Sequence, residues 1–236
     1  MILVTGASTG IGLATAEALA RAGHRVVLHA RKPDGVSNPA LRAQMHGLIF
    51  GDLSDQQQTR ELAVAANELG RFDAVIHNAG VINGPVTAVN VIAPYILMAT
   101  LTAPRRSIVL SSSMHRSGST DLNRAFRGPG DYSTSKLLAT TLALALAART
   151  STLSHAVDPG WVPTRMGGPN APDDFDAGHR TQEWLATADP KDILPVSGGY
   201  WHHLRPQDPH PYTTDPAFQD SLVEKLARLT GVAFPK

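Results

Sequence analysis

The sequence predicts an α/β protein: a doubly wound parallel sheet between two layers of helices, in a single domain over residues 1–236. Three observations carry this expectation. Short unbroken apolar runs alternate with stretches of helical period, a glycine-rich turn joins the first run to the first helix, and 236 residues suffice for one sizeable core. Strands covered on both faces read as continuous apolar runs, and strand–helix–strand order makes neighbouring strands parallel.

Taken in order, MILVTGAS is the first strand. GIGLATAEALARAG sets Ile11, Ala14, Ala18, Leu19 and Ala22 at helical spacing and stops at Gly23, after which HRVVLHA is the second strand. GLIF before Asp52 is the third, followed by a helix from Ser54 with Gln57 placed for a capping box. DAVIHNAG, an apolar helix around NVIAPYILMATL, SIVLSSS, a long helix after Tyr132 and LSHAVDPG continue the alternation. Pro and Gly then thicken. RMGGPNAPDDFDAGHRTQEWLATADP reads as a mobile excursion with a short helix in it, a substrate loop and lid at about 165–195. RPQDPHPYTTDP reads as a surface loop and AFQDSLVEKLARL as a last helix.

Composition narrows the function. A formal net charge of +1 without Lys/Arg runs gives no footprint for nucleic acid or an acidic membrane surface, so a small molecule is the expected partner. Cysteine is absent, which excludes disulfides and thiolate metal sites, and the strand-like start leaves no room for a signal segment. These features point to a cytoplasmic protein. Ten histidines raise the question of a metal, but none forms an HExxH pattern, and His202 and His203 cannot share one site if both lie on a strand. No metal is expected.

Ligands of such sheets sit beyond the carboxyl ends of the strands, where the winding reverses. A glycine turn there aims backbone N–H groups and a positive helix end at an anion, the mechanism of dinucleotide pyrophosphate binding; alone, it serves tight strand-to-helix packing equally well. Tyr132 and Lys136 are four apart and share a helix face. An ammonium near a phenol lowers a pKa that starts near ~10, making Tyr132 a candidate proton donor at neutral pH. A serine hydroxyl from the preceding strand end would hold a carbonyl oxygen against it. Alone, Tyr132 is equally a boundary aromatic and Lys136 a solvated residue.

TGASTGIG at 5–12, DLSD at 52–55, NAG at 78–80, SSS at 111–113, YSTSK at 132–136 and DPGWVPTRM at 158–166 occur in the order of the short-chain dehydrogenases/reductases, which the whole chain resembles. The resemblance implies a Rossmann-like fold and hydride transfer between a nicotinamide and a carbonyl or secondary alcohol. It implies a catalytic set of Asn90, Ser112, Tyr132 and Lys136, with Ser113 as the alternative serine and a water held at the Asn90 helix relaying protons toward Lys136. It also implies cofactor contacts. Gly6, Ser8, Gly10, Ile11 and Gly12 would meet the phosphates, Asp52 and Leu53 would flank the adenine, and Asn78, Ala79 and Gly80 would support the cofactor from the fourth strand. Pro159, Gly160, Val162 and Thr164 would meet the nicotinamide amide and phosphates, and Tyr132 and Lys136 the nicotinamide ribose.

The connection from Asn78 to Asn90 is shorter than in most relatives. At the end of the second strand, VVLHARK offers no carboxylate for ribose hydroxyls but offers Arg31 for a 2′-phosphate, so NADP is expected over NAD. His115 and Trp161 are candidates for lining the substrate pocket. LLATTLALALAA and NVIAPYILMATL are apolar around most of each helix, and relatives pair these helices, so a homodimer or homotetramer is expected. Two other activities fit the same scaffold: a cofactor-binding regulatory protein without turnover, which would not need the serine–tyrosine–lysine set, and a dehydratase or epimerase, whose chains tend to be longer.

Overall fold

In the computed structural model, which describes residues 1–235, one eight-stranded sheet runs through the molecule. Its strands are β1 (Ile2–Val4), β2 (Val26–Ala30), β3 (Gly47–Phe50), β4 (Ala74–His77), β5 (Arg106–Leu110), β6 (Leu153–Asp158), β7 (Tyr200–His202) and β8 (Arg205–Gln207). Their spatial order is β3-β2-β1-β4-β5-β6-β7-β8, with β1 to β7 parallel and β8 antiparallel to β7. The winding reverses between β1 and β4, which sets the expected crevice beyond Val4 and His77.

The helices are α1 (Gly10–Arg21), α2 (Pro39–Gln44), α3 (Gln56–Glu68), α4 (Ala93–Thr100), α5 (Leu122–Ala125), α6 (Tyr132–Arg149), α7 (Phe175–Thr187) and α8 (Pro216–Thr230). Successive strand residues point to opposite faces, so Ile2, Val4, Val26, Leu28 and Ile76 pack with Leu19 of α1, Leu41 of α2 and Leu185 of α7. Leu3, Val27 and Val75 pack with Leu62 of α3 and Leu97 of α4, while Val109 and Ala156 pack with α6. The three-layer α/β/α arrangement expected from the alternation is present.

Several local expectations are corrected. The helix after Asp52 starts at Gln56, capped by Asp55, whose carboxylate accepts from the N–H groups of Gln57 (2.7 Å) and Gln58 (3.1 Å). A carboxylate reaches those two donors with one oxygen, so Ser54 is left to bond Asp52 instead. Within the excursion at about 165–195, the short helix is α7, thirteen residues long, and its covered apolar stripe places it in the sheet's helix layer. The histidine pair lies on a hairpin, not on one strand: His202 ends β7, while His203 (φ 45°) and Leu204 (φ 65°) make a two-residue turn into β8. The turn brings the two rings together, with centroids 3.9 Å apart. Among the described residues, no group of three His, Asp or Glu is placed to hold a metal ion, and no helix is long and apolar enough to cross a membrane.

The premise of pairing through two bare apolar helices also changes. Phe218, Leu222 and Leu226 of α8 pack on Leu138, Leu142 and Leu146 of α6, and Phe234 stacks on Tyr95 of α4 at 5.4 Å. Tyr95 Oη donates to Val232 O (2.7 Å). The chain's own C-terminal helix and tail therefore cover the face that was expected to need a second subunit.

Candidate active site

At the switch point, β1 and β4 are tied by their first residues beyond the sheet. Asn78 Nδ2 donates to Thr5 O (2.9 Å) and Gly6 O (3.2 Å), and Ala79 N–H donates to Thr5 Oγ1 (3.1 Å). The fit requires glycine. Gly6 has φ 62° and a Cβ there would lie 2.7 Å from Ala79 Cα, while one on Gly12 would lie 2.2 Å from Asn78 Nδ2. The Asn78 amide is thus spent on holding the turn.

A residue that the sequence reading used only as a missing carboxylate completes this brace. Gly6 N–H donates to His29 Nδ1 (3.0 Å), so the ring proton sits on Nε2 and is donated to Gly51 O (3.0 Å). Burial lowers the His29 pKa and keeps the ring neutral. No motif marks it; a histidine on a buried strand is the only signal.

The turn leaves its donors facing outward. Thr9 makes no side-chain cap at α1, whereas Asp55, Asp131, Asp174 and Asp215 cap α3, α6, α7 and α8. The first-turn N–H groups of Gly10, Ile11 and Gly12 are therefore without a capping acceptor, at the positive end of a twelve-residue helix. Half-buried Ser8 lies beside them, and a Cβ on Gly10 would lie 3.7 Å from the Thr164 methyl. A glycine cradle with free N–H donors fits the pyrophosphate of a dinucleotide.

At the next strand ends, Arg31 and Lys32 are exposed, and half-buried Asp52 accepts from Ser54 N–H (2.9 Å) and Oγ (2.7 Å). The Ser54 backbone bond, then its hydroxyl, hold the Asp52 carboxyl below the usual range, with Arg31 and Lys32 adding to this. Leu53 turns its side chain into the core, so only its backbone faces the crevice. Behind β6, Gly160 N–H donates to Asp158 Oδ1 (3.0 Å), and Gly160 at φ 84° leaves no room for a Cβ, which would sit 2.5 Å from Asp173 Oδ2. Pro159 is half-buried and the Val162 side chain is buried against Gly178.

The reactive groups meet beyond β4, β5 and β6. Ser111 is buried and bonded to Thr140 Oγ1 (2.6 Å), and Ser113 is exposed. Ser112 lies between them, half-buried; its hydroxyl accepts from Met114 N–H (3.2 Å) and is near enough to the Tyr132 phenol to pull that phenol's pKa down. Alternation along a strand end thus aims one of three serines at the tyrosine. Asp131 caps α6 through Thr134 N–H (2.8 Å) and starts that helix at Tyr132. One turn on, Lys136 is buried, with Nζ 5.4 Å from the Tyr132 ring centroid and donating to Leu110 O (2.7 Å).

The electrostatics differ from the expectation. Burial raises the Tyr132 pKa, the Ser112 hydroxyl opposes this, and Asp158 adds to the rise. Burial lowers Lys136 to about 8, against the pull of Asp158. The ammonium does not dominate, because the same burial that brings Lys136 close destabilises its charge. Tyr132 is a neutral phenol, a donor rather than a ready base.

Asn90 sits in a π-helical turn, Ala88–Ile92, ahead of α4. Its Oδ1 accepts from Val81 N–H (2.8 Å), and its Nδ2 donates to Val81 O (2.9 Å) and Ser135 Oγ (2.9 Å). Gly80 lies between this amide and the lysine: a Cβ there would be 3.4 Å from Lys136 Nζ and 3.5 Å from Asn90 Oδ1. The short connection from Asn78 therefore still brings Asn90 to the site. Of the two pocket candidates, Trp161 is 59% exposed, with Nε1 donating to Gly167 O (2.8 Å), and His115 is fully buried.

Residues 1–174 match the family model described as short chain dehydrogenase. The chain is 35% identical to the short-chain dehydrogenase chyC of Penicillium rubens, an alignment covering 99% of this chain and 98% of that protein. Among solved structures it resembles a short chain dehydrogenase from Salmonella enterica serovar Typhi at a TM-score of 0.67 and 25% identity, covering 86% of this chain and 94% of that one. The NADPH-bound carbonyl reductase from chicken fatty liver shares the fold at a TM-score of 0.69 and 20% identity, covering 86% and 95%. A family model matched from the first strand to the start of α7, with a fungal relative aligned end to end, makes this chain a member of the short-chain dehydrogenases, and so an oxidoreductase.

Proposed function

We propose that the chain is an NADP-dependent oxidoreductase acting on a carbonyl or secondary alcohol, with Tyr132 as the proton donor in reduction and acceptor in oxidation. The observation that carries this reading is the meeting of Ser112, Tyr132 and Lys136 at the carboxyl edge of the sheet, beside the free N–H groups of α1. A bound nicotinamide dinucleotide supplies or takes up the hydride. The chain does the rest. The N–H groups of Gly10, Ile11 and Gly12, with Ser8 and Thr164, would hold the phosphates, and the backbones of Asp52 and Leu53 the adenine. Pro159, Gly160 and Val162 would place the nicotinamide, and Tyr132 and Lys136 its ribose. Ser112 holds the substrate oxygen against the Tyr132 hydroxyl, which gives up its proton as that oxygen gains charge. Lys136 and the turn at Asn90 return a proton to the phenol. Relatives named for NADPH and carbonyl reductase support this reading.

The substrate is a small molecule, and benzaldehyde, acetophenone, cyclohexanone and the matching alcohols, followed by nicotinamide absorbance with both cofactors, test the reaction class. No turnover across the panel with either cofactor would count against it. Members of this family generally form oligomers; a homodimer or homotetramer of this chain must use a surface other than α4 and α6, which α8 covers. A cytoplasmic location is part of this reading.

The preference for NADP rests on Arg31, exposed at the end of β2, a strand end that itself carries no carboxylate to repel a 2′-phosphate. Arg31→Ala is expected to weaken NADPH binding by about 1–3 kcal/mol, the range for losing a hydrogen bond to a charged group, and to leave NADH binding nearly unchanged. Titration of both cofactors by fluorescence checks it, and equal affinity of the unmutated protein for NADH and NADPH would overturn the assignment.

A further inference from the structure

His115 is a fully buried histidine that the proposed chemistry does not use. It lies three residues beyond Ser112, in the 3-10 turn Ser113–Ser117. One ring nitrogen, Nε2, is 3.0 Å from the backbone N of His210, which can only donate, so Nε2 accepts. The ring proton is therefore on Nδ1, and it is donated to the carbonyl of Ser112 itself (2.8 Å). The ring packs against Tyr200 with centroids 4.6 Å apart, and Tyr200 Oη in turn donates to Asp158 (3.3 Å). Next to it, Arg116 donates to Asp208 O (2.6 Å). Two neighbouring side chains of the serine turn thus grip the backbone of 208–210, the segment leading into α8.

We propose that His115 is a positioning residue: by joining the Ser112 carbonyl to the His210 N–H it locks the serine turn onto the C-terminal segment and holds the Ser112 hydroxyl against Tyr132. This rests on the reading of Ser112 as the serine that holds the substrate oxygen. The backbone N–H of His115 also donates to that carbonyl (3.0 Å) and closes the turn on itself, but only the imidazole, which donates at one nitrogen and accepts at the other, carries the link across to the His210 N–H. Leucine or phenylalanine fills the space but makes neither bond.

The test is a double-mutant cycle with the best substrate of the panel above. His115→Phe is expected to lower kcat by about ten- to a hundredfold, the scale for a misplaced reacting group, with KM for NADPH little changed. In a Ser112→Ala background the same substitution should change kcat by less than about twofold, because the group it positions is gone. His115→Gln, which keeps a donor and an acceptor, should recover part of the loss. Where His115→Phe does not fold, His210→Pro removes the N–H from the other end at a residue whose φ of −58° already suits proline, and the same background dependence is expected. An equal factor in both backgrounds would show a merely structural role and overturn the proposal. Undiminished kcat in Ser112→Ala would instead overturn the serine assignment beneath it.

Discussion

Tyr132→Phe is expected to reduce carbonyl turnover by about 10²- to 10⁴-fold, the contribution of a positioned general acid, while leaving NADPH affinity nearly unchanged. The substitution removes one hydroxyl and keeps the ring. The ring's contact with Lys136 Nζ at 5.4 Å, the capping of α6 by Asp131 and the Lys136 bond to Leu110 O all survive it. On the function proposed above, what is lost is the proton that Ser112 helps to place. Because burial raises the phenol pKa, Tyr132 carries that proton throughout the neutral range, so the loss in reduction should appear at pH 7 without adjustment. Nicotinamide absorbance in a stopped assay gives kcat, and a cofactor titration gives affinity. Turnover within about tenfold of the unmutated protein would remove Tyr132 from the role, since that is below the range for general acids.

The sequence made β1 to β6 and the helices α1, α3, α4, α6 and α8 legible because the apolar runs and helical periods have visible ends: Gly23 ends α1, and the apolar runs of β4, β5 and β6 end in Asn78, Ser111 and Pro159; α2, α5, β7 and β8 are too short to show a period. The motifs were legible for the same reason, since each lies one step beyond a strand. What stayed hidden was decided by packing. The histidine braces at Gly6 and at Ser112 depend on which ring nitrogen meets which backbone group, and no spacing encodes that. The segment holding α7 read as a mobile excursion with only a short helix in it because its first ten residues are rich in Gly, Pro and Asp, although Leu185 and Ala186 reach the core. The two-residue turn of His203 and Leu204 has no glycine to announce it. Apolar helices that seemed to ask for a second subunit were read without α8, whose own stripe was visible but whose partner was not.

Acidification should destabilise the fold well before its carboxylates titrate, through histidines held neutral inside it. Burial pushes His77 and His155 down to about 4 from an ordinary 6.5, and also lowers His29 and His115. His155 is fixed by its surroundings: Nδ1 accepts from Gly199 N–H (3.2 Å) and Trp201 Nε1 (3.1 Å), leaving Nε2 to donate to Val196 O (3.1 Å). His77 has no such partners; its Nδ1 is unbonded, and with Ser107 it lines a cavity of about 100 Å³ between the sheet and the ends of α4 and α6. A histidine whose pKa is lowered by folding contributes stability that is fully present above 6.5 and is lost as the pH falls toward the folded value, because the unfolded chain takes up the proton first. For His77 and His155 the loss is on the order of 2 kcal/mol each by pH 5. His179, raised by its bond to Glu183, has the opposite sign: its contribution is present in acid and is lost as the pH rises, so it offsets part of the fall. Urea unfolding between pH 7 and 5 measures the net slope. His77→Leu, which replaces an unbonded ring by an apolar side chain of similar reach, should lower that slope by about one proton, roughly 1.4 kcal/mol per pH unit between pH 6 and 5, without loss of stability at pH 7. A variant with the slope of the unmutated protein would mean that His77 does not titrate on unfolding, and that the acid sensitivity of this fold has another source.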